Sequence, residues 1–369
     1  MAGIIEFSGT ILTGPDHEQR GLWSVDGKLT FNRPAARPDV LLDGWVIPGF
    51  VDAHCHIGLG PGGAVEDEVA QEQAATDRNA GTLLVRDAGA ATDTRWLQQR
   101  KDMPRIIRSG RHIARSRRYL RNFAVEVEPD GLVEAVRKQA RAGDGWVKLV
   151  GDWIDRNAGD LSASFPANVL KDAVSAAHDE GVRVTAHCFA EDTLDDMLDA
   201  GIDCIEHATG LLPRHLPRFV EQQVPIVPTL INIATFPGIA VQAESRFPRY
   251  AAHMLALWER RGERVLEAFE AGVSIFAGTD AGSVISHGRI ADEVLALHAA
   301  GLPAAAALDS ATWRAREWLG AEGISEGANA DVLLCAEDPR RLLATIRKLK
   351  HVVLRGEIIR WNKLKLQVI

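Results

Sequence analysis

The middle of the chain repeats one pattern: an amphipathic helix, a glycine, a short apolar strand and a polar loop. Helical spacing at Leu132, Val133, Val136 and Ala140 leads through Gly143 and Gly145 into Trp146-Val147-Lys148-Leu149-Val150. The pattern returns at Val169, Leu170, Ala173, Val174 and Ala177, with Gly181 before Val182 to His187. It returns again at Leu194, Met197 and Leu198, with Gly201 before Ile202 to His207. A further copy runs through Val265, Leu266 and Phe269, with Gly272 before Val273 to Gly278. Glycine suits the residue after a helix because it tolerates the left-handed conformation.

Strands that are apolar without alternation are covered on both faces, as in a parallel sheet flanked by helices. Such alternation over roughly 270 residues predicts an α/β fold of the (β/α)8 TIM-barrel type, whose usual length is about 250 residues. An open doubly wound sheet is disfavoured, because no GxGxxG loop joins a strand to a helix. The ends read differently. Residues 1–48 hold short strand-like pieces and an Asp26-Gly27 hairpin turn, and residues 331–335 and 351–361 also read as strands. The expectation is a small β-sandwich domain from both chain termini (1–48 plus 325–369) beside a barrel spanning 49–324.

A formal net charge of −8 argues against a nucleic-acid surface. No apolar run reaches the 18 or more residues of a membrane span, and the N-terminus carries no secretory pattern. Cys55, Cys188, Cys204 and Cys335 stand singly, so neither a disulfide framework nor a thiolate zinc site is signalled. A cytoplasmic protein is expected.

Active sites of such barrels lie at the carboxyl ends of the strands. There the chain places residues that hold metals. His54 and His56 follow the apolar run Val46 to Val51, and alternate residues of a strand share a side, so the two can hold one ion. His187 and His207 each close an apolar strand, and Asp280 follows Phe276-Ala277-Gly278-Thr279. Lys148 lies inside an apolar strand, where an ammonium needs a partner. Either it is an edge lysine reaching for water, or carbon dioxide has turned it into a carbamate able to bridge two cations. Imidazole and carboxylate donors without thiolates suit zinc, with manganese or iron also open.

These residues, in this order, resemble the amidohydrolase superfamily in its imidazolonepropionase-like and prolidase-like branch. The likeness runs through Ile47 to His56, Val85-Arg86-Asp87-Ala88-Gly89, Val147-Lys148, Ala186-His187 and Ile205-Glu206-His207. It continues in Pro228-Thr229-Leu230, Ala277 to Gly282 and Gly327 to Val332. The resemblance implies two divalent ions, most simply Zn2+. His54, His56 and Asp280 would hold one, His187 and His207 the other, with carboxylated Lys148 bridging. It implies hydrolysis of an amide-type C–N bond in a small molecule (peptide, N-acyl amino acid, lactam or carbamate). A metal-bridged hydroxide would attack, with Asp280 as base and then acid. A homo-oligomer is expected.

Lactonase, esterase or phosphotriesterase chemistry would use the same ligands. Deamination is disfavoured, because the glutamate expected three residues after His187 is replaced by Ala190. A non-catalytic homologue would show missing ligands, and none are missing. For substrate contacts, the Arg-rich stretch 111–121 offers Tyr119 with Arg117 or Arg118 for a carboxylate or polar head group. The alternative is a solvated basic loop. Trp153, in a long loop after Lys148, could wall an apolar substrate, and His287 could line the mouth. His112, His178, His253, His298 and His351 are given no metal role.

Overall fold

The computed structural model describes residues 3–359. Residues 1–2 and 360–369 of the expected terminal domain, including Arg360 and Trp361 of the expected last strand, lie outside them.

The chain forms a mixed α/β fold whose central strands are parallel and lie in two arcs. The short arc is Phe50–Cys55, Thr82–Asp87 and Arg105–Arg108. The long arc runs from Val125–Val127 and Ile113–Arg115 through Trp146–Val150, Arg183–Cys188 and Cys204–His207 to Ile226–Val227. Between the arcs on one side lies the segment 273–277, expected as a strand. It makes an isolated parallel bridge from Ile275 to Ile226, and Ala277 O accepts from Ala53 N at 2.9 Å. On the other side, residues 109–112 separate Arg105–Arg108 from Ile113–Arg115, and no ladder joins these two strands among the described residues. Among the described residues the two arcs do not join into one continuous closed ladder.

Helix Leu132–Ala142 leads from the edge strand Val125–Val127 to Trp146–Val150, and helices Ala167–Asp179 and Thr193–Ala200 each fall between neighbouring strands of the long arc. The first buries Leu132, Ala135, Val136 and Ala140 against the sheet, the spacing of one helical face. Gly201 ends the third helix in the left-handed conformation, at φ 81°. Gly143 does not: its φ is −90°, and the left-handed turn falls on Gly145 at φ 97°.

Residues 151–165, expected as a loop, hold an antiparallel hairpin of Asp152–Asp155 and Asp160–Ala163. It packs near the long helix Pro248–Glu270, whose Tyr250 N donates to Gly159 O.

Strands from both ends of the chain share a six-stranded sheet. Val332–Cys335 pairs antiparallel with Trp45–Pro48, Val332 opposite Pro48 and Leu334 opposite Val46. A second sheet contains Ile5–Phe7, Leu22–Val25, Lys28–Thr30 and Val40–Leu42. Phe7, Ile11, Leu22, Leu29, Val332 and Val353 form one apolar cluster with these strands. Trp45–Pro48 then passes through a single residue, Gly49, into Phe50–Cys55.

Candidate metal centre

The fully buried strand Phe50–Cys55 delivers His54 at its end and His56 just beyond it. Gly278 allows the facing segment to lie close, since a Cβ there would meet His54 Cβ at 2.6 Å and Val227 Cγ1 at 2.5 Å. Asp280 takes φ 58°, in the left-handed region, and its N donates to His54 O at 2.7 Å. His207, at φ 66°, is likewise left-handed. Such backbone is strained for residues other than glycine and is typical of functional positions.

His54 Nδ1 donates to Glu206 Oε2 at 2.8 Å, and His56 Nδ1 donates to Gly89 O at 2.6 Å. Both rings therefore turn Nε2 inward, and the two Nε2 atoms stand 3.2 Å apart. Asp280 Oδ1 lies 3.0 Å from His56 Nε2 and 3.2 Å from His54 Nε2. His54, His207 and Asp280 offer ligand atoms within 4.8 Å of one another. The His207 ring centroid is 5.1 Å from that of His54 and 4.7 Å from that of His187. Lys148 Nζ is 3.4 Å from His54 Nε2, is buried, and has no carboxylate within ion-pair reach among the described residues. The structure thus brings together His54, His56, Lys148, His187, His207 and Asp280.

Three acceptor atoms converging without a proton between them repel, so this cluster suits a cation. The donors are imidazole nitrogens and carboxylate oxygen, a set that zinc accepts. His187 Nε2 is buried without a hydrogen-bond partner, a second sign of a group that the residues alone do not satisfy. At three of the four histidines the electrostatics agree. Burial lowers the pKa of Lys148, of His56 and, well below the ordinary value, of His187; burial takes His207 down to about 3. Neutral imidazoles are the form that binds metals. Burial and Lys148 push His54 down, but Glu206 and Asp280 outweigh them and its pKa is raised. Burial opposes ionisation of Asp280, yet the histidines hold it well below the usual carboxylate range.

Around these groups stands a layer of polar residues that sequence reasoning left without roles. Arg86 Nη2 lies 2.6 Å from Glu206 Oε1, and the Thr185 hydroxyl donates to the same oxygen. Asn232 Nδ2 donates to Asp280 Oδ2 at 2.6 Å, and the His207 ring meets Thr229 Oγ1 at 2.7 Å. Asp52 accepts from Thr279 N, Thr279 Oγ1 and His54 N. Burial raises the Asp52 pKa to about 7. Asp152 ties the loop after His187 by accepting from Phe189 N and Ala190 N. The signal for Arg86 and Glu206 was present: each is a charge inside an apolar strand, as Lys148 is.

The expected substrate residues scatter. Tyr119 and Trp153 do stand at the centre, with ring centroids 6.1 Å and 5.3 Å from that of His187, and Phe189 stacks beside them. Arg117 is exposed and its backbone N bonds Glu126, with no site contact through its side chain among the described residues. Arg118 points into the hairpin, donating to Trp153 O and Ser162 O and pairing with Asp155 at 3.2 Å. His287 is turned away from the mouth: Nδ1 pairs with Asp77 Oδ2 at 2.8 Å, beside Cys55. Strand alternation explains this, because Cys55 faces the side opposite His54 and His56. His112, set aside in the sequence, lies buried beside His56, with Nδ1 3.3 Å from the same Gly89 carbonyl.

The sequence profile of the Amidohydrolase family matches residues 45–359. An uncharacterised protein of Mycobacterium tuberculosis (strain H37Rv) is 53% identical over 344 residues, covering 93% of this chain and 92% of that one. Among solved structures, a Xaa-Pro dipeptidase with bound methionine superposes with TM-score 0.81 at 22% identity, over 97% of this chain and 99% of that one. The ochratoxinase of A. niger superposes with TM-score 0.77 at 19% identity, over 97% and 95%.

Proposed function

From the premise that the chain belongs to the amidohydrolase family, and is with that a hydrolase acting on C–N bonds, we propose that it cleaves an amide-type bond of a small molecule at a binuclear metal centre. One observation carries the reading: the inward-facing Nε2 atoms of His54 and His56 and the Asp280 carboxylate converge within 3.2 Å beside the buried Lys148. His54, His56 and Asp280 would hold one ion and His187 and His207 the other, with Lys148 bridging as a carbamate. Its neutral amine would form an N–C bond to carbon dioxide and release a proton. The architecture that supports this placement is read as a (β/α)8 barrel of residues 49–324, with a β-sandwich of residues 1–48 and 325–369.

When bound, such a pair of ions, most simply Zn2+, supplies Lewis acidity that acidifies water and polarises a carbonyl. The protein residues do the rest. Asp280 Oδ1 faces the histidines, so Oδ2, fixed by the Asn232 amide, takes the proton from the attacking water and passes it to the leaving amine. Glu206 and the Gly89 carbonyl hold the two imidazoles in the tautomer that leaves Nε2 free. Tyr119, Trp153 and Phe189 wall the centre and favour a substrate with an apolar or aromatic part. That so similar a fold serves a Xaa-Pro dipeptidase and an ochratoxinase supports an amide substrate over a lactone, ester or phosphotriester. Deamination is opposed by Glu191, which is engaged by His253 at 2.9 Å and by Arg260. The setting proposed is cytoplasmic, with a homo-oligomeric assembly.

The test is metal content per chain on protein purified without chelator and with bicarbonate. About two ions per chain, falling to one or fewer in Lys148→Ala, is the expected result, followed by turnover of dipeptides, N-acyl amino acids or lactams. One ion, insensitive to Lys148, overturns the bridged pair.

A further inference from the structure

The ends of the strands opposite the metal ligands carry a second feature that the hydrolytic reading does not use. A cavity of about 300 Å³ is lined by Leu84, Arg105, Arg316, Glu322, Asp331 and Arg355. A cavity of about 310 Å³ shares Arg105 and Arg355 with it and adds Arg183. Arg105 and Arg183 are the first residues of their strands, so both cavities open at the amino ends of the parallel strands, away from His54, His187 and Asp280.

None of these four guanidinium groups has a carboxylate within 4.0 Å among the described residues, whereas Arg86, Arg108, Arg118, Arg218 and Arg340 each have one. Arg316 is 5% exposed. Its Nε and Nη1 donate to Gly49 O and Glu322 O, and Nη2 is buried without a partner. Arg355 Nη1 donates to Lys101 O and Met103 O. Arg183 Nη1 donates to Trp318 O, and its guanidinium lies 4.1 Å over the Trp146 ring. These partners are neutral.

The acids nearby are engaged elsewhere or exposed. Asp144 takes Arg108 in a two-point contact, and Asp203, whose charge favours the Arg183 cation, bonds His178 and Val184 N. Asp331 accepts from the Arg355 backbone N, and Glu322 is exposed to water. Burial lowers the Arg183 pKa, and the nearby Arg86 adds to that; burial also lowers Arg316, opposed by Asp331 and helped by Arg105. In a chain with net charge −8, four guanidinium groups around two adjoining cavities, none with a carboxylate in ion-pair contact among the described residues, are an arrangement that an anion would relieve.

We infer that the amino end of the parallel strands is a second binding site, for a small phosphate-type oxyanion held by Arg105, Arg316 and Arg355 with Arg183 beside them. Guanidinium forks match the oxygens of phosphate in a two-point geometry. The ligand is free phosphate or the phosphate group of a monoester.

The test is isothermal titration of the metal-loaded protein with inorganic phosphate and, separately, glycerol phosphate, in chloride of matched ionic strength. Saturable binding is expected, weakened about tenfold or more in Arg105→Gln and further in Arg105→Gln with Arg355→Gln, as loss of charge-assisted bonds implies. Tighter binding of either probe identifies the free ion or the ester as the source. Arg105 is exposed, so its variant keeps the fold and, with hydrolysis unchanged, separates this site from the metal centre. Affinity equal in wild type and both variants, or no binding above the chloride control, overturns the inference.

Discussion

Arg86 Nη2 stands 2.6 Å from Glu206 Oε1 with neither side chain exposed to solvent. Glu206 in turn fixes the His54 ring through Oε2. Removing one partner of such a pair leaves an uncompensated buried charge, which costs about 3–5 kcal/mol. Arg86→Met is expected to lower stability by that amount in denaturant titration, and Arg86→Met with Glu206→Met to recover part of it. Metal content should stay low in the double variant, because His54 loses its orienting carboxylate. A single variant as stable as wild type would contradict the pairing.

Gly278→Ala tests how closely the centre is packed. The added Cβ would meet His54 Cβ at 2.6 Å and His54 N at 2.7 Å, and neither is the free end of a flexible chain. Overpacking of this kind costs about 1–3 kcal/mol. The expected outcome is a folded protein with a lower melting temperature and clearly reduced metal content; full metal loading would show that the facing segments yield.

Asp280→Asn keeps the shape of the side chain and removes its basicity. A drop in kcat of about 10²- to 10⁴-fold is expected, the range for loss of a general acid–base group. Steady-state kinetics on the best amide substrate would measure it, and a change below tenfold would assign the proton transfer elsewhere.

The two neighbouring arginines should behave differently. Arg117→Ala is expected to leave kcat, KM and melting temperature unchanged, since its side chain is exposed. Arg118→Ala should raise KM, because Arg118 holds Trp153 O and Ser162 O and so sets the hairpin that carries the Trp153 ring. Equal effects from both would return the pair to direct substrate binding.

The hairpin also has a pH-sensitive fastening. His253 bonds Asp160 and Glu191 at 2.9 Å each, with Arg260 on Glu191 and Arg249 3.8 Å from Asp160. The Glu191 contact raises the His253 pKa from 6.5 to about 9, against burial and helped by Asp160. Burial opposes ionisation of Glu191, but His253 and Arg260 lower its pKa from 4.5 to about 2. The histidine contribution is complete below pH 6.5 and lost as pH rises through about 9. The glutamate contribution is complete above pH 4.5 and lost as pH falls through about 2. Amide exchange in the hairpin, corrected for its intrinsic pH dependence, should therefore speed up between pH 7 and about 9.5. A His253→Gln variant should show no such rise.

Much of the centre was legible because its residues break a pattern: polar ligand types at the ends of otherwise apolar strands, and Lys148 inside one. The same rule applied to Arg86 and Glu206 would have reached the ion pair that orients His54. The hairpin was also readable, since Asp152-Trp153-Ile154-Asp155 and Asp160-Leu161-Ser162 carry partial strand alternation around Gly159. What the linear pattern does not carry is which side of the chain a loop residue meets. Arg118 belongs to an Arg-rich stretch and His287 follows Asp280 by seven residues, yet one is spent on hairpin carbonyls and the other on Asp77. The segment 273–277 has the composition of a strand but makes a single isolated bridge, to Ile226, and pairing of that kind is not written in one segment's composition.

The sheet that joins Trp45–Pro48 to Val332–Cys335 sets an order of events during synthesis. The earlier strand leaves the ribosome about 280 residues before its partner, an interval of roughly 15 to 60 s at ordinary translation rates. For that time one of its edges lacks its final neighbour, while the continuous strand Phe50–Cys55 can already begin pairing with Thr82–Asp87. The nascent chain thus carries His54 and His56, proposed above as metal ligands, beyond a strand anchored at only one end, and an unpaired edge is a site for mispairing. Slow elongation or a shortened C-terminus would prolong that exposure, so the yield of active enzyme is tied to the last strands made as well as to the residues that do the chemistry.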